Sequence, residues 1–212
     1  MLVGQRMTQP VITIQGETPV QDALNLMRQE HIRRFPVVDA KGGLRGIASE
    51  RDMLHASASS ATSLSVWELN YLISKIKVET VMTSKVITVT EDTPVEEAAR
   101  MMADNKIGGL PVVREGKVVG IITETDLFKL FLELLGARES GTRLTALVPD
   151  VPGELAKLTS AVRDVGGNII ALVTFLGDTT ENRTVTLKVG RIDSASLRKA
   201  VEPVVQQILD VR

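Results

Sequence analysis

The sequence predicts a mixed α/β (α+β) protein with two similar β-α-β-β-α units followed by a third unit of β-α-β-β-α-β order. Three observations carry that prediction. Residues 7–38 and 82–113 align without a gap and share 14 of 32 positions, which is an internal repeat. Both copies carry the same helix-start signature at the same place. After residue 141 the repeat gives way to a new alternation of apolar runs and turn residues.

Each copy opens with a β-rich run, VITI from Val11 or VITV from Val86. Thr18-Pro19-Val20-Gln21 and Thr93-Pro94-Val95-Glu96 then offer a hydroxyl N-cap, proline at the first helical position and Gln or Glu three residues after the cap. Val20, Ala23, Leu24 and Met27, like Val95, Ala98, Ala99 and Met102, recur at i, i+3, i+4 and i+7 and make one apolar helical face. FPVVD and LPVVR, each followed by a Gly-containing turn and by LRGIAS or KVVGIIT, read as two strands joined by a hairpin. A second helix follows Ser49 or Thr123. A unit of roughly 50 residues buries too little surface to be stable alone, so the two copies are expected to pack together.

Between the copies, Ser57 to Ser63 reads as a loop, and Ser65-Val66-Trp67-Glu68 as another capping box. The stripe Val66, Leu69, Leu72, Ile73, Ile76 predicts a bridging helix over about 65–76, with Trp67 as its packing anchor. In the third unit, strand RLTALV leads through PDVPG to a helix with Leu155, Leu158, Val162 and Val165 on one face. Gly166-Gly167 stops that helix, and NIIALVTF, RTVTLKV, a helix from about Ser194 and a strand near Ile208 complete a split βαβ arrangement, with Pro203 ending the second helix. The expected division is 1–74, 75–138 and 139–212.

Composition excludes several functions. A formal charge of -1 and 3% aromatic residues lack the clustered cations and stacking platforms of a nucleic-acid binder. With no cysteine there is no disulfide scaffold and no thiolate site. Met1 to Val11, interrupted by Gln5, Arg6 and Gln9, does not read as a secretory signal, and no apolar run is long enough to span a membrane, so a cytoplasmic chain is expected. Asp52 and His55 at i, i+3 are too few to hold a metal, and no phosphate loop, nucleophile elbow or zinc-protease motif occurs, so neither metal nor catalysis is expected.

The repeated feature nearest to chemistry is Ser49-Glu50-Arg51-Asp52 and Thr123-Glu124-Thr125-Asp126 at strand-to-helix junctions. A hydroxyl with an acid three residues on is a capping box. The same arrangement also lets the carboxylate accept from vicinal ribose hydroxyls while the hydroxyl and helix N–H groups face phosphate.

Met-Thr before the first strand, Thr-Pro-Val at the first helix, IRRFPVV and IGGLPVV, and the Gly-Ile-x-Ser/Thr-x-x-Asp runs, taken in that order over residues 3–135, resemble the cystathionine-β-synthase (CBS) domain family. The resemblance implies a tandem CBS pair that binds an adenine nucleotide (AMP, ADP or ATP) or another adenosyl compound. By that resemblance Asp52 and Asp126 hold ribose, Ser49 and Thr123 lie near phosphate or ribose, and Thr8, Thr13, Ile32 and Pro36, with Thr83, Thr88, Ile107 and Pro111, line the purine pockets. Where the second copy has Gly108-Gly109 the first has Arg33-Arg34, departing from the family's glycine. Two unequal clefts are therefore expected, an Arg side for a more phosphorylated nucleotide and a Gly side for a less charged one.

Residues 142–212, through Asp150-Val151-Pro152-Gly153 and Gly167-Asn168-Ile169, resemble the ACT domain family, small ferredoxin-like regulatory folds that often bind amino acids at a dimer interface. Asp150, Gly153 and Asn168 are the candidate ligand residues there, although Asp-x-Pro-Gly and Gly-Gly-Asn are also ordinary turn and helix-stop chemistry. The order of units is similar to that of bacterial acetoin-utilisation accessory proteins. The expected function is a non-catalytic sensor coupling nucleotide binding to an ACT module in a homodimer. The competing expectation is a structural scaffold with vestigial pockets.

Overall fold

The computed structural model describes residues 1–59 and 75–212. The bridging helix expected over about 65–76, with Trp67, lies outside the described residues in all but its last two positions. The chain forms two compact units, Met1–Leu127 and Phe128–Arg212.

In the first unit, copy one runs β1 (Ile14–Gln15), α1 (Val20–Gln29), β2 (Arg34–Val38), β3 (Leu44–Ser49), α2 (Glu50–Ser59). Copy two runs α3 (Val95–Asn105), β4 (Gly109–Arg114), β5 (Lys117–Thr123), α4 (Glu124–Leu134), the last helix crossing the unit boundary. β2–β3 and β4–β5 are antiparallel hairpins, each with a register irregularity at Val37/Val38 or Val112/Val113. The β-rich leaders are shorter than expected: VITI keeps only Ile14 in strand, which with Gln15 runs parallel to β2, and VITV keeps a single parallel bridge from Val89 to Val112.

The helix starts also differ from expectation. Pro19 and Pro94 are the residues preceding the first helical turn, and neither helix has a side-chain cap. Backbone carbonyls replace the hydroxyls: Val20 N–H donates to Ile76 O (2.8 Å) and Val95 N–H to Met1 O (3.0 Å). Each of those carbonyls belongs to the segment that opens the other copy.

That exchange organises the whole unit. Thr8 pairs with Ile121 on β5, and Thr83 pairs with Ile47 on β3, both as antiparallel bridges. Val3 N–H donates to Thr93 O and Val78 N–H to Thr18 O, each at 2.9 Å. The leader segment that opens each copy, residues 1–8 or 76–83, is thus built into its twin, while VITI and VITV stay with their own copy. Val78, fully buried, belongs to the core formed by Val20, Leu24, Met27, Phe35, Val37 and Met53 of copy one. Burying one such valine contributes about 1.5–3 kcal/mol. The repeated Met and Gly fit this exchange: Met7 Sδ fills the space beside Gly120, and Met82 Sδ that beside Gly46, where a Cβ would collide.

The second unit contains β6 (Thr142–Pro149), α5 (Glu154–Asp164), β7 (Asn168–Leu176), β8 (Asn182–Gly190), α6 (Ser194–Val201) and β9 (Gln207–Val211). Its strand order is β7-β8-β6-β9, antiparallel throughout, as the split βαβ pattern predicts. A 3-10 turn with Pro203 follows α6. Leu144, Ala146, Val148, Leu158, Val162, Leu187 and Leu197 form its core. Leu155 and Val165, expected on the buried face of α5, are 40% and 44% exposed. They lie in the first turn and at the C-cap, and the helix buries its middle.

Candidate functional site

A cleft of about 540 Å3 opens in the first unit. It is lined from both copies: Arg33, Arg34, Ile47 and Ser49 to Asp52 from copy one, Thr83, Lys85 to Ile87, Lys106 to Gly109 and Glu124 from copy two. The leader exchange causes this mixing, because Thr83 is bonded to Ile47 and so brings Lys85, Val86 and Ile87 beside Asp52.

Of the candidate residues, Arg33, Arg34, Ser49, Asp52, Thr83, Ile107, Gly108 and Gly109 line this cleft. Thr8, Thr13, Ile32, Pro36, Thr88, Pro111, Thr123 and Asp126 do not. Ile32 packs against the copy-one core, and Pro36 and Pro111 are buried in the hairpin strands. Thr8 sits beside β5 through Ile121, across the pseudo-two-fold from Thr83.

This placement corrects the idea of an Arg cleft and a separate Gly cleft. Arg33, Arg34, Gly108 and Gly109 line one cleft. The Arg34 guanidinium lies over the two glycines, its nitrogens 2.5 to 2.7 Å from where their Cβ atoms would be. Neither glycine has a positive φ. They are small because Arg34 fills the space.

The Ser49–Asp52 junction is a capping box in fact. Asp52 Oδ2 accepts from Ser49 N–H (3.0 Å) and Ser49 Oγ–H (2.7 Å), and Asp126 Oδ2 accepts from Thr123 N–H and Oγ1–H at the same two distances. Asp52 is half-buried, and only Oδ2 has a hydrogen bond among the described residues. The first N–H groups of α2 and α4 do not face the cleft unpaired, since Glu50 N–H donates to Arg33 O and Glu124 N–H to Gly108 O. Side chains are therefore the main groups that can meet a phosphate there. Arg33, Arg34, Arg51, Lys85 and Lys106 outnumber Glu50, Asp52 and Glu124 among the lining charges, a field that favours an anion. Burial holds the Arg34 guanidinium below its ordinary pKa, Glu124 pulling it up and Arg33 pushing it down.

Sequence reading missed Lys85, Lys106, Glu50, Arg51 and Glu124 as lining residues. Each looks like a solvated surface charge, and only the crossing of the leaders assembles them. Among the described residues no cluster of three or more His, Asp or Glu could hold a metal, and no helix is long and apolar enough to cross a membrane.

In the second unit Asp150 Oδ2 accepts from Arg183 Nε at 3.0 Å, and Gly153 takes φ 95° before α5. Asn168 begins β7 opposite Gly190, whereas Asp150 follows the Pro149–Asn182 pair. Eight residues of β8 separate those ends, about 26 Å at strand rise. Within one chain Asp150 and Asn168 therefore lie at opposite ends of the sheet.

Comparison with known proteins agrees with both architectures. The CBS domain model matches residues 3–59 and 78–133, and the TTHA0829-like ACT domain model matches residues 140–212. A Vibrio cholerae chain assigned to acetoin utilization (AcuB) is 34% identical with a TM-score of 0.57, covering 66% of this chain and 98% of that one. A CBS domain pair solved with 5'-methylthioadenosine and S-adenosyl-L-methionine is 31% identical, with a TM-score of 0.55 and coverage of 66% and 98%. The Arabidopsis thaliana CBS-pair protein CBSX2, solved with AMP, is 31% identical, with a TM-score of 0.53 and coverage of 63% and 97%. The same region also occurs inside longer proteins: the matched stretch is 23% of an L-aspartate semialdehyde sulfurtransferase from Methanocaldococcus jannaschii, 33% identical over 131 residues. The chain belongs to the CBS-domain family, with a tandem CBS pair followed by a TTHA0829-like ACT domain.

Proposed function

We propose that the tandem pair is a non-catalytic sensor that binds an adenine nucleotide or a related adenosyl compound in the cleft between its two copies. The observation that carries this reading is the meeting of Asp52, with one carboxylate oxygen uncommitted among the described residues, and a cationic set lining one cleft. A carboxylate suits vicinal hydroxyls and guanidinium suits phosphate. In this reading Asp52 and Ser49 hold ribose, Ile47, Val86, Ile87 and Ile107 flank the base, and Arg33, Arg34, Lys85 and Lys106 meet phosphate. Thr8, Thr123 and Asp126, in the pseudo-equivalent positions, form the corresponding edge of a second site. Binding of methylthioadenosine, S-adenosylmethionine or AMP by related pairs supports the same ligand class.

Residues 1–74 and 75–138 then act as the sensor and 139–212 as the module that reports, through amino-acid binding or dimerisation. Self-association is supported by Phe128, Phe131 and Leu134 on α4, which are 68%, 52% and 55% exposed. The test is calorimetric titration of the whole chain with AMP, ATP, 5'-methylthioadenosine and S-adenosylmethionine, beside light scattering for the oligomer. Heat for at least one ligand, lost in Asp52→Ala, supports the sensor. No heat for any supports the scaffold.

A further inference from the structure

The strongest inequality between the repeats falls inside the cleft and involves a residue with no assigned role, Glu124. A Cβ on Gly108 would lie 2.5 Å from Arg34 Nη2 and 2.7 Å from Glu124 Oε2. The half-buried Arg34 guanidinium of copy one and the first carboxylate of α4 in copy two therefore approach the same vacant position. Glu124 is also the acidic group that acts most strongly on Arg34. An anion entering this cleft would reach a cation that already has an anion beside it.

We propose that Glu124 stands where a ligand's phosphate would act on Arg34, so that an anionic adenosyl compound binds by exchange of one anion for another and the pair sets the cleft's charge selectivity. This inference rests on the adenosyl-ligand reading above. Glu124 opposes phosphate through like charge and competes for the same guanidinium, but leaves an uncharged adenosine nearly unaffected. Gly108 and Gly109 are the structural condition for the arrangement, since any side chain there would push Arg34 away.

The experiment compares adenosine with AMP, which differ only in the phosphate, by calorimetry on the full chain. The quantity read is the ratio of their dissociation constants. Glu124→Gln should raise the preference for AMP on the order of tenfold, with adenosine affinity within about twofold. Arg34→Gln should lower the ratio, with Arg33, Lys85 and Lys106 still facing the phosphate, and most of the Glu124→Gln effect should then disappear, because the two act as a pair. Gly109→Ala, whose Cβ would meet Arg34 and not Glu124, displaces the guanidinium without altering a charge; it should also lower the ratio and guards against a misfolded Arg34 variant. If the wild type binds AMP but Glu124→Gln leaves the ratio unchanged, or if its effect survives loss of Arg34, the exchange is refuted and the ligand reading stands. If the wild type binds neither compound, the exchange is refuted, and the ligand reading falls with it when ATP, 5'-methylthioadenosine and S-adenosylmethionine also give no heat.

Discussion

Replacing Asp52 with alanine removes two things that the structure separates. Oδ2 closes the α2 capping box through bonds of 3.0 and 2.7 Å to Ser49, and Oδ1 has no bond among the described residues. Loss of the cap should cost about 0.5–2 kcal/mol, a melting shift of about 2–8 °C for a unit of this size. On the ligand side one oxygen, not two, is available to ribose. A hydrogen bond to a charged group contributes about 1.5–3 kcal/mol, so AMP affinity should fall about 10- to 100-fold. Asp126→Ala is the matched control, because it removes the same two bonds from the other copy's box. It should also lower apo stability through loss of its cap and leave AMP affinity at the Asp52 cleft unchanged. Scanning calorimetry with and without AMP, followed by titration, reads both terms: the ligand-linked stabilisation from the Asp52 cleft, about RT ln(1 + [L]/Kd), should shrink in Asp52→Ala and persist in Asp126→Ala. Equal AMP affinity in Asp52→Ala and wild type would refute the reasoning, whatever the change in stability.

Three further outcomes follow from the same geometry. Gly120→Leu and Gly46→Leu put a branched side chain where Met7 or Met82 sits, so each should lower stability by about 1–3 kcal/mol in chemical denaturation. Leu158→Ala, at a fully buried position of the ACT core, should cost about 2–5 kcal/mol, measured by the loss of the second unit's transition. Asp193 caps α6 by accepting from Ser196 N–H at 2.9 Å, which holds its carboxyl below the usual carboxylate range. A depressed folded value means that its stabilisation is complete above the unfolded value of about 3.9 and disappears as pH falls through the folded one. Asp193→Asn should therefore be less stable than wild type near neutrality and converge with it in acid, and a pH-independent difference would contradict the assignment.

The sequence makes the elements legible because local and global signals agree. TPV at each first helix, hairpin runs such as LRGIAS, and Gly-Gly after α5 all specify local structure directly. Which copy receives each leader is a different matter. Met7 could lie against Gly46 or Gly120 with the same apolar pattern, because the two copies present nearly the same surface. Only three-dimensional closure selects the exchange. The site inherits that ambiguity: Ser49 and Asp52 carry a local signature, while Lys85 and Glu124 acquire a role only when the other copy's chain arrives. The misreading of Arg33-Arg34 and Gly108-Gly109 as two separate clefts has the same origin. A sequence difference between copies looks like a difference between sites, and here it is a complementary pair within one. In the ACT unit, the motifs of Asp150 and Asn168 mark a turn and a strand start, and only the length of β8 shows that these lie at opposite ends of the sheet.

The most direct test is a crystal structure of the full chain grown with AMP. The account predicts one nucleotide in the cleft formed by both copies, its ribose against Asp52 and its phosphate beside Arg34 and Lys85. AMP bound elsewhere on the chain, with Asp52 touching only Ser49, would contradict it.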